Sequence, residues 1–449
     1  MSKDNNEPKV QKLSTDSYKG VRDFFPADMA VQKKIFDIWR KTAERYGYEE
    51  YGASILEPAD LYRAKSGEEL INEQTYTFID RGDREVTLRP EMTPTLARMV
   101  AARKRELIFP LRWYSIPNLF RYEQPQRGRL REHWQLNVDL FGVESINAEI
   151  EIINMASDIT KAYGLKDSDF EIRINNRKVV NYILSDVFDL DPKQSHRLAK
   201  LIDKKEKLKP EIFTATVNDI FGTEKTDDVT KFITLLNSKN FEEFAAQLPQ
   251  SEDEHEGIKE VRKVIAALEE LGITNARFDQ TLMRGFDYYT GTVFEVFDLN
   301  PENRRAVLGG GRFDELLALF GNEKVPAVGF GAGDVTARDL METYGTIAKP
   351  STNNSSQDLQ SIDIQPPADI AIAIMGEESV PFALETARDL REEGLRVVVD
   401  LSKKKIGDQI KNADKRHIPK VIVIGDEEVK TGKLKVKDLK TGEQSDLII

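Results

Sequence analysis

Two neighbouring stretches limit most tightly what this chain can fold into. They are Met283-Arg284-Gly285-Phe286-Asp287-Tyr288-Tyr289-Thr290-Gly291-Thr292 and, a little further on, Leu308-Gly309-Gly310-Gly311-Arg312-Phe313-Asp314. Their flanks, Arg277 to Leu282 and Val293 to Val296, read as strands. A cation, two phenols, carboxylates and a glycine-rich turn make poor core, because buried Arg, Asp and Tyr all require hydrogen-bonding partners. A polar ligand would supply them. Strand edges meeting at a glycine turn are the purely structural alternative, and these residues alone leave both open.

Upstream, Val31, Ile35, Phe36, Ile38, Trp39 and Ala43 recur at helical spacing and Gly47 stops the run, which predicts an amphipathic helix from Ala30 to Tyr46. Extended segments follow at Tyr48 to Leu56, Gln74 to Ile79 and Glu85 to Leu88, with no Rossmann or P-loop glycine pattern among them. An antiparallel sheet is expected rather than βαβ repeats. Residues 180–268, rich in Lys, Glu and Leu, read as a helical insertion, either a spacer or a functional module. The polar stretch from Pro350 to Pro367 marks a boundary. Beyond it, strands at Ile370 to Met375, Arg396 to Asp400 and Val421 to Ile424 alternate with helices at Val380 to Glu393 and Ile406 to Arg416. The expected layout is therefore a disordered extension at 1–16, a first α+β domain at 17–346 carrying the insertion, a linker at 347–367 and a small α/β domain at 368–449.

A chain of 449 residues with 40% apolar content can bury two or three cores. No apolar run approaches the roughly 18 residues that cross a bilayer, and the polar start has no signal-peptide character, so a cytoplasmic location is expected. Zero cysteines exclude disulfides and thiolate metal sites, and His133, His196, His255 and His417 lack zinc-site spacing. Any metal is expected to arrive with a substrate. The net charge of −12 argues against indiscriminate nucleic-acid binding but leaves room for a local basic face. Lys403, Lys404, Lys405, Lys411, Lys415, Lys420, Lys433, Lys435, Lys437 and Lys440 gather in the last domain, as a solvated face or an RNA contact.

A second polar cluster runs from Phe120 to Gly142 and reads as two strands joined by a charged loop with Arg121, Arg127, Arg129 and Arg131. It is either an ordinary exposed hairpin or a phosphate site, since a guanidinium fork holds phosphate oxygens bidentately; a nucleotide and an RNA end are the candidate ligands. A third cluster, Leu88-Arg89-Pro90-Glu91-Met92-Thr93-Pro94-Thr95, offers a carboxylate and hydroxyls to an ammonium group, or else simply begins a helix.

In this order the segments resemble the class II histidyl-tRNA synthetases across nearly the whole chain. Gly20-Val21-Arg22-Asp23-Phe24, the helix after it and Leu56-Glu57-Pro58 resemble the first class II motif, which implies a homodimer. The Phe120 to Gly142 hairpin resembles the second motif, Leu282 to Glu295 and Gly309 to Asp314 the two histidine motifs, and the last domain an anticodon-binding domain. The resemblance implies a class II antiparallel-sheet catalytic domain and a two-step reaction. Histidine attacks the α-phosphorus of Mg-ATP, and a terminal ribose hydroxyl of tRNA(His) then takes the acyl group. It implies Arg121 and Arg284 on the α-phosphate as the catalytic pair. Glu91, Thr93 and Gln135 would take the ammonium group, Asp139 and Tyr288 the imidazole, and Tyr289 would close the pocket. Glu123, Arg129 and His133 would join Arg121 and Arg284 around ATP, Gln126 and Arg127 would meet the tRNA, and no protein-held metal is implied.

Three positions depart from the family pattern. Thr336 stands where the third motif carries an arginine, with Arg338 two residues on pointing to another helix face. His133 replaces a common phenylalanine, and Gln124 a frequent arginine. Two outcomes follow: a nucleotide held by His133 and a hairpin-loop arginine, or weakened ATP binding. The second outcome would suit a synthetase-like sensor of histidine or tRNA.

Overall fold

The computed structural model describes residues 13–63, 74–126, 128–205, 208–222, 225–249, 254–283, 288–301, 303, 306–321, 323–347 and 366–447. Contacts divide the chain into two compact units, 1–349 and 350–449.

The first unit is built on a nine-stranded sheet. In chain order its strands are β1 (Glu49–Glu50), β5 (Leu111–Ser115), β6 (Asn118–Phe120), β7 (Glu132–Phe141), β8 (Phe170–Asn176), β9 (Ala276–Phe278), β10 (Thr292–Asp298), β11 (Ala306–Arg312) and β12 (Ala327–Gly333). The spatial order is β1-β5-β7-β12-β11-β10-β8-β9, with β6 pairing β7 off the main path. Only the outer pairs β1–β5 and β8–β9 are parallel. The remaining pairs are antiparallel, as expected for a sheet without βαβ repeats. A separate antiparallel sheet joins β2 (Leu56–Pro58), β4 (Glu85–Leu88) and β3 (Tyr76–Ile79) in that order.

Helix α1 (Pro26–Arg45) starts four residues earlier than Ala30, because Pro26 suits the first helical position, where no N–H partner is needed. It buries Val31, Ile35, Trp39 and Ala43 along one stripe and packs on α3 (Asn147–Ala162). Between α1 and α3 lies α2 (Thr93–Arg103). The insertion contains α4 (Pro192–Ile202), α5 (Pro210–Phe221), α6 (Thr226–Leu236), α7 (Phe241–Ala246) and α8 (Glu256–Glu270). These helices close over their own core, which includes Phe188, Val217, Phe232, Phe244 and Val261. The first unit ends with α9 (Asp334–Thr343) directly after β12.

The Arg277 to Leu282 strand is shorter than expected. It stops at Phe278 because Asp279 turns back, its carboxylate accepting from both the backbone N–H and the hydroxyl of Thr281.

In the second unit, β13 (Ile370–Ile374), β14 (Val397–Val399), β15 (Lys420–Ile424), β16 (Lys435–Asp438) and β17 (Gln444–Asp446) lie in the order β14-β13-β15-β16-β17. The run Ile-Ala-Ile-Ala-Ile of β13 is buried throughout, its isoleucines packing with α10 (Val380–Glu392) and its alanines with α11 (Ile406–Lys415). The antiparallel hairpin β16–β17 carries no apolar run, which hid it in the sequence.

Candidate active site

Strand β7 sets the geometry. His133, Gln135, Asn137 and Asp139 share one face by the two-residue period of a strand. Trp134 turns to the other face and meets the Phe24 ring edge-on at 5.3 Å. Alongside, Gly329 lies in register with Asp139, Gly331 with Asn137, and Gly309 with Gly331. The missing side chains are required there: a Cβ on Gly329 would stand 2.4 Å from Asp139 Oδ1, and one on Gly331 2.5 Å from Gln135 Nε2.

Above this bare stretch of sheet lies a cavity of about 310 Å³, walled by Glu91, Thr93, Arg121, Arg129, Gln135, Asn137, Asp139, Tyr288 and Tyr289. Glu91 is buried and accepts a hydrogen bond from the Tyr288 hydroxyl at 3.1 Å. Thr93 begins α2, so the third sequence cluster both starts a helix and walls the cavity. The Gln135 amide donates to Asn137 Oδ1 at 2.9 Å, and Arg121 Nε donates to the carbonyl of Pro90 at 2.8 Å.

Asp139 is 2% exposed, and its Oδ2 has no hydrogen-bond partner among the described residues. Burial pushes its carboxyl up to about 8. A buried oxygen left without a donor is costly, and a ligand N–H would satisfy it.

His133 lies on the Asp139 face but does not wall the cavity. Burial first, then the charges of Arg121 and Arg22, pull its imidazole down to about 3, so it is neutral near pH 7. In the hairpin loop, Glu123 accepts from Arg129 Nη1 at 3.3 Å, and exposed Gln126 bonds back to Arg129 through the backbone. Arg131 serves the loop itself: its guanidinium stacks 4.0 Å from the Tyr122 ring and donates to the Tyr18 hydroxyl at 3.1 Å. Arg127 and Arg284 lie outside the described residues.

At the third-motif position Thr336 falls within the first turn of α9. Arg338 is committed elsewhere, donating to Glu342 at 2.8 Å and Asp28 at 3.2 Å. Asp334, fully buried, accepts from Arg22 Nη2 at 2.6 Å, Gln32 Nε2 at 2.9 Å and the backbone N–H of Trp134 at 2.9 Å. That network ties the loop before α1, α1 itself, β7 and α9 together, and it holds the Arg22 cation near His133.

Asn137 and Phe313 wall the cavity without having been singled out as ligand contacts. Asn137 was accessible from the period of β7, lying midway between Gln135 and Asp139. Phe313, whose ring meets that of Tyr288 at 5.8 Å, carries no polar signal.

Comparison with known proteins covers both units of the chain. The histidyl-tRNA synthetase family model matches residues 20–335, and an anticodon binding domain model matches residues 369–449. A histidine–tRNA ligase of Leptospira biflexa is 39% identical over 442 residues, covering 97% of this chain and 96% of that protein. Another, from Thermoplasma volcanium, is 35% identical over 433 residues, 96% of each chain. The crystal structure of a histidyl-tRNA synthetase from a Nostoc species shares the fold, with a TM-score of 0.75 at 24% identity over 97% of both chains. By this match of both domains along nearly its full length, the chain belongs to the histidyl-tRNA synthetase family.

Proposed function

We propose that this protein is a histidine–tRNA ligase that activates L-histidine with ATP and transfers it to the 3′ end of tRNA(His). The observation that carries this is the convergence of Glu91, Thr93, Arg121, Gln135, Asp139, Tyr288 and Tyr289 on one cavity over a glycine floor.

Each group has a task set by its chemistry. Glu91, Thr93 and Gln135 present acceptors to the substrate's ammonium group. Asp139 takes an imidazole N–H, Tyr288 lies beside it, and Tyr289 closes the pocket. Arg121 holds the α-phosphate and, with Arg284, stabilises the negative charge that grows as the histidine carboxylate attacks phosphorus. Adenylate forms and pyrophosphate leaves, its charge carried by the magnesium that enters with ATP. A ribose hydroxyl of tRNA then attacks the activated carbonyl and AMP departs.

Arg129 walls the same cavity, which favours a hairpin-loop arginine on the nucleotide over loss of ATP binding. Glu123 positions Arg129, and His133, on the same face of β7 as Asp139, is the ring assigned to the adenine. Gln126 and Arg127 are assigned to the tRNA acceptor end and the lysines of the second unit to its anticodon region.

The domain layout follows: a catalytic domain at 17–346 with its insertion at about 180–268, a linker at 347–367 and an anticodon-binding domain at 368–449. Exposed Leu56, Phe78 and Ile79 on the small sheet give an apolar surface suited to a homodimer. Among the described residues no helix is long and apolar enough to cross a membrane, which is compatible with work in the cytoplasm. The test is charging of a tRNA(His) transcript with labelled histidine. Acid-precipitable histidine that depends on ATP is expected, and none in folded protein would refute the proposal.

A further inference from the structure

Three buried side-chain oxygens without hydrogen-bond partners among the described residues gather behind the cavity: Asp139 Oδ2, Tyr51 Oη and Ser115 Oγ. Strand pairing brings them together. Trp113 lies in register with Asp139 and Ser115 with Asn137, which puts Ser115 on the Asp139 face. Tyr51 follows β1, its N–H bonds to the carbonyl of Tyr114 at 2.9 Å, and its ring packs 5.8 Å from that of Trp113. The Asp139 charge acts on the Tyr51 hydroxyl, and Ser115 adjoins that hydroxyl without reaching hydrogen-bond geometry. Burial pushes the phenol well above its usual range, so Tyr51 keeps its proton and remains a donor.

Three orphaned oxygens in one place are costly unless something joins them, and one buried water with three polar partners does so. We propose that Tyr51, assisted by Ser115, is a positioning residue that holds Asp139 through a buried water and so fixes the carboxylate that receives the imidazole N–H. Tyr51 itself does not wall the cavity and touches no substrate. The inference rests on the assignment of Asp139 to the imidazole.

Asp139 senses few other charges. Glu91, Tyr288, Arg121 and Arg129 share the cavity wall with it, Tyr48 is engaged with Glu151, and Arg89, whose charge acts on Tyr51, is bound to backbone carbonyls and Asn118. A donor lost from behind Asp139 is therefore not replaced.

The experiment is histidine-dependent pyrophosphate exchange by the full-length Tyr51→Phe and Ser115→Ala variants across pH 5.5–9. Tyr51→Phe keeps the ring and removes the donor. Its KM for histidine is expected to rise about tenfold, with kcat and KM for ATP within about twofold. The limb of kcat/KM for histidine that rises with pH should move upward by about 0.5 to 1 pH unit, since the carboxylate has lost a donor. Ser115→Ala should shift both in the same direction by less. An unmoved pH profile, or a rise in both KM values together, in either folded variant would overturn the proposal. Wild-type protein without histidine-dependent exchange would instead overturn the assignment of the site.

Discussion

At the scale of single residues, Asp139 is the group whose ionisation most affects this molecule. Its carboxyl is pushed up to about 8 in the folded chain, against an ordinary value of 3.8. Between those values the native state binds a proton that the unfolded chain has released, so this group's contribution to stability falls as pH rises through the window. Asp139→Asn removes the dependence. The Tm of the variant relative to wild type is expected to climb from pH 5 to pH 8, and a flat difference would show that Asp139 is ionised without penalty. Its burial was not legible in the sequence, where Asp139 is one carboxylate in an ordinary strand pattern. Tyr51 and Ser115, whose hydroxyls are likewise unpartnered among the described residues, come from other parts of the chain. Likewise Arg338 is the arginine nearest in sequence to Thr336, yet Asp28 and Glu342 hold it away, and Arg22 is the cation that Asp334 places near His133.

At the scale of elements, the site depends on one strand bearing large polar side chains beside two strands bearing glycine. The Phe120 to Gly142 stretch read as two strands joined by a charged loop, and Gln135 and Asp139 both fall on β7, whereas the glycines of β11 read as a turn and proved to be strand interior. A strand of glycines has no pattern of its own; its partners decide its conformation. Gly331→Ala tests this arrangement. The new Cβ would stand 2.5 Å from Gln135 Nε2, the far end of a flexible side chain, so the fold should yield by turning Gln135 away from Asn137. Thermal stability close to wild type with a roughly tenfold higher KM for histidine is the expected outcome. Unchanged KM would remove Gln135 from the amino-acid site. The charged face of β16 shows the opposite limit of sequence patterns, since Lys435 and Lys437 concealed a strand that backbone pairing and one buried side chain, Val436, specify.

At the scale of the whole molecule, each unit has its own core, and the cavity is walled entirely by residues of the first. The stretch from Pro350 to Pro367, where Pro, Ser and Asn replace apolar periodicity, starts at the first residue of the second unit. A chain ending at residue 349 is expected to keep histidine-dependent pyrophosphate exchange within about tenfold of the full-length protein and to lose most tRNA charging. Loss of exchange on truncation, with the shortened chain still folded, would show that the second unit shapes the active site.

If this cavity activates histidine, pyrophosphate exchange measured with Mg-ATP and each amino acid in turn will show it. Exchange with histidine alone is expected, despite Thr336. Exchange with another amino acid, or none from folded protein, would contradict it.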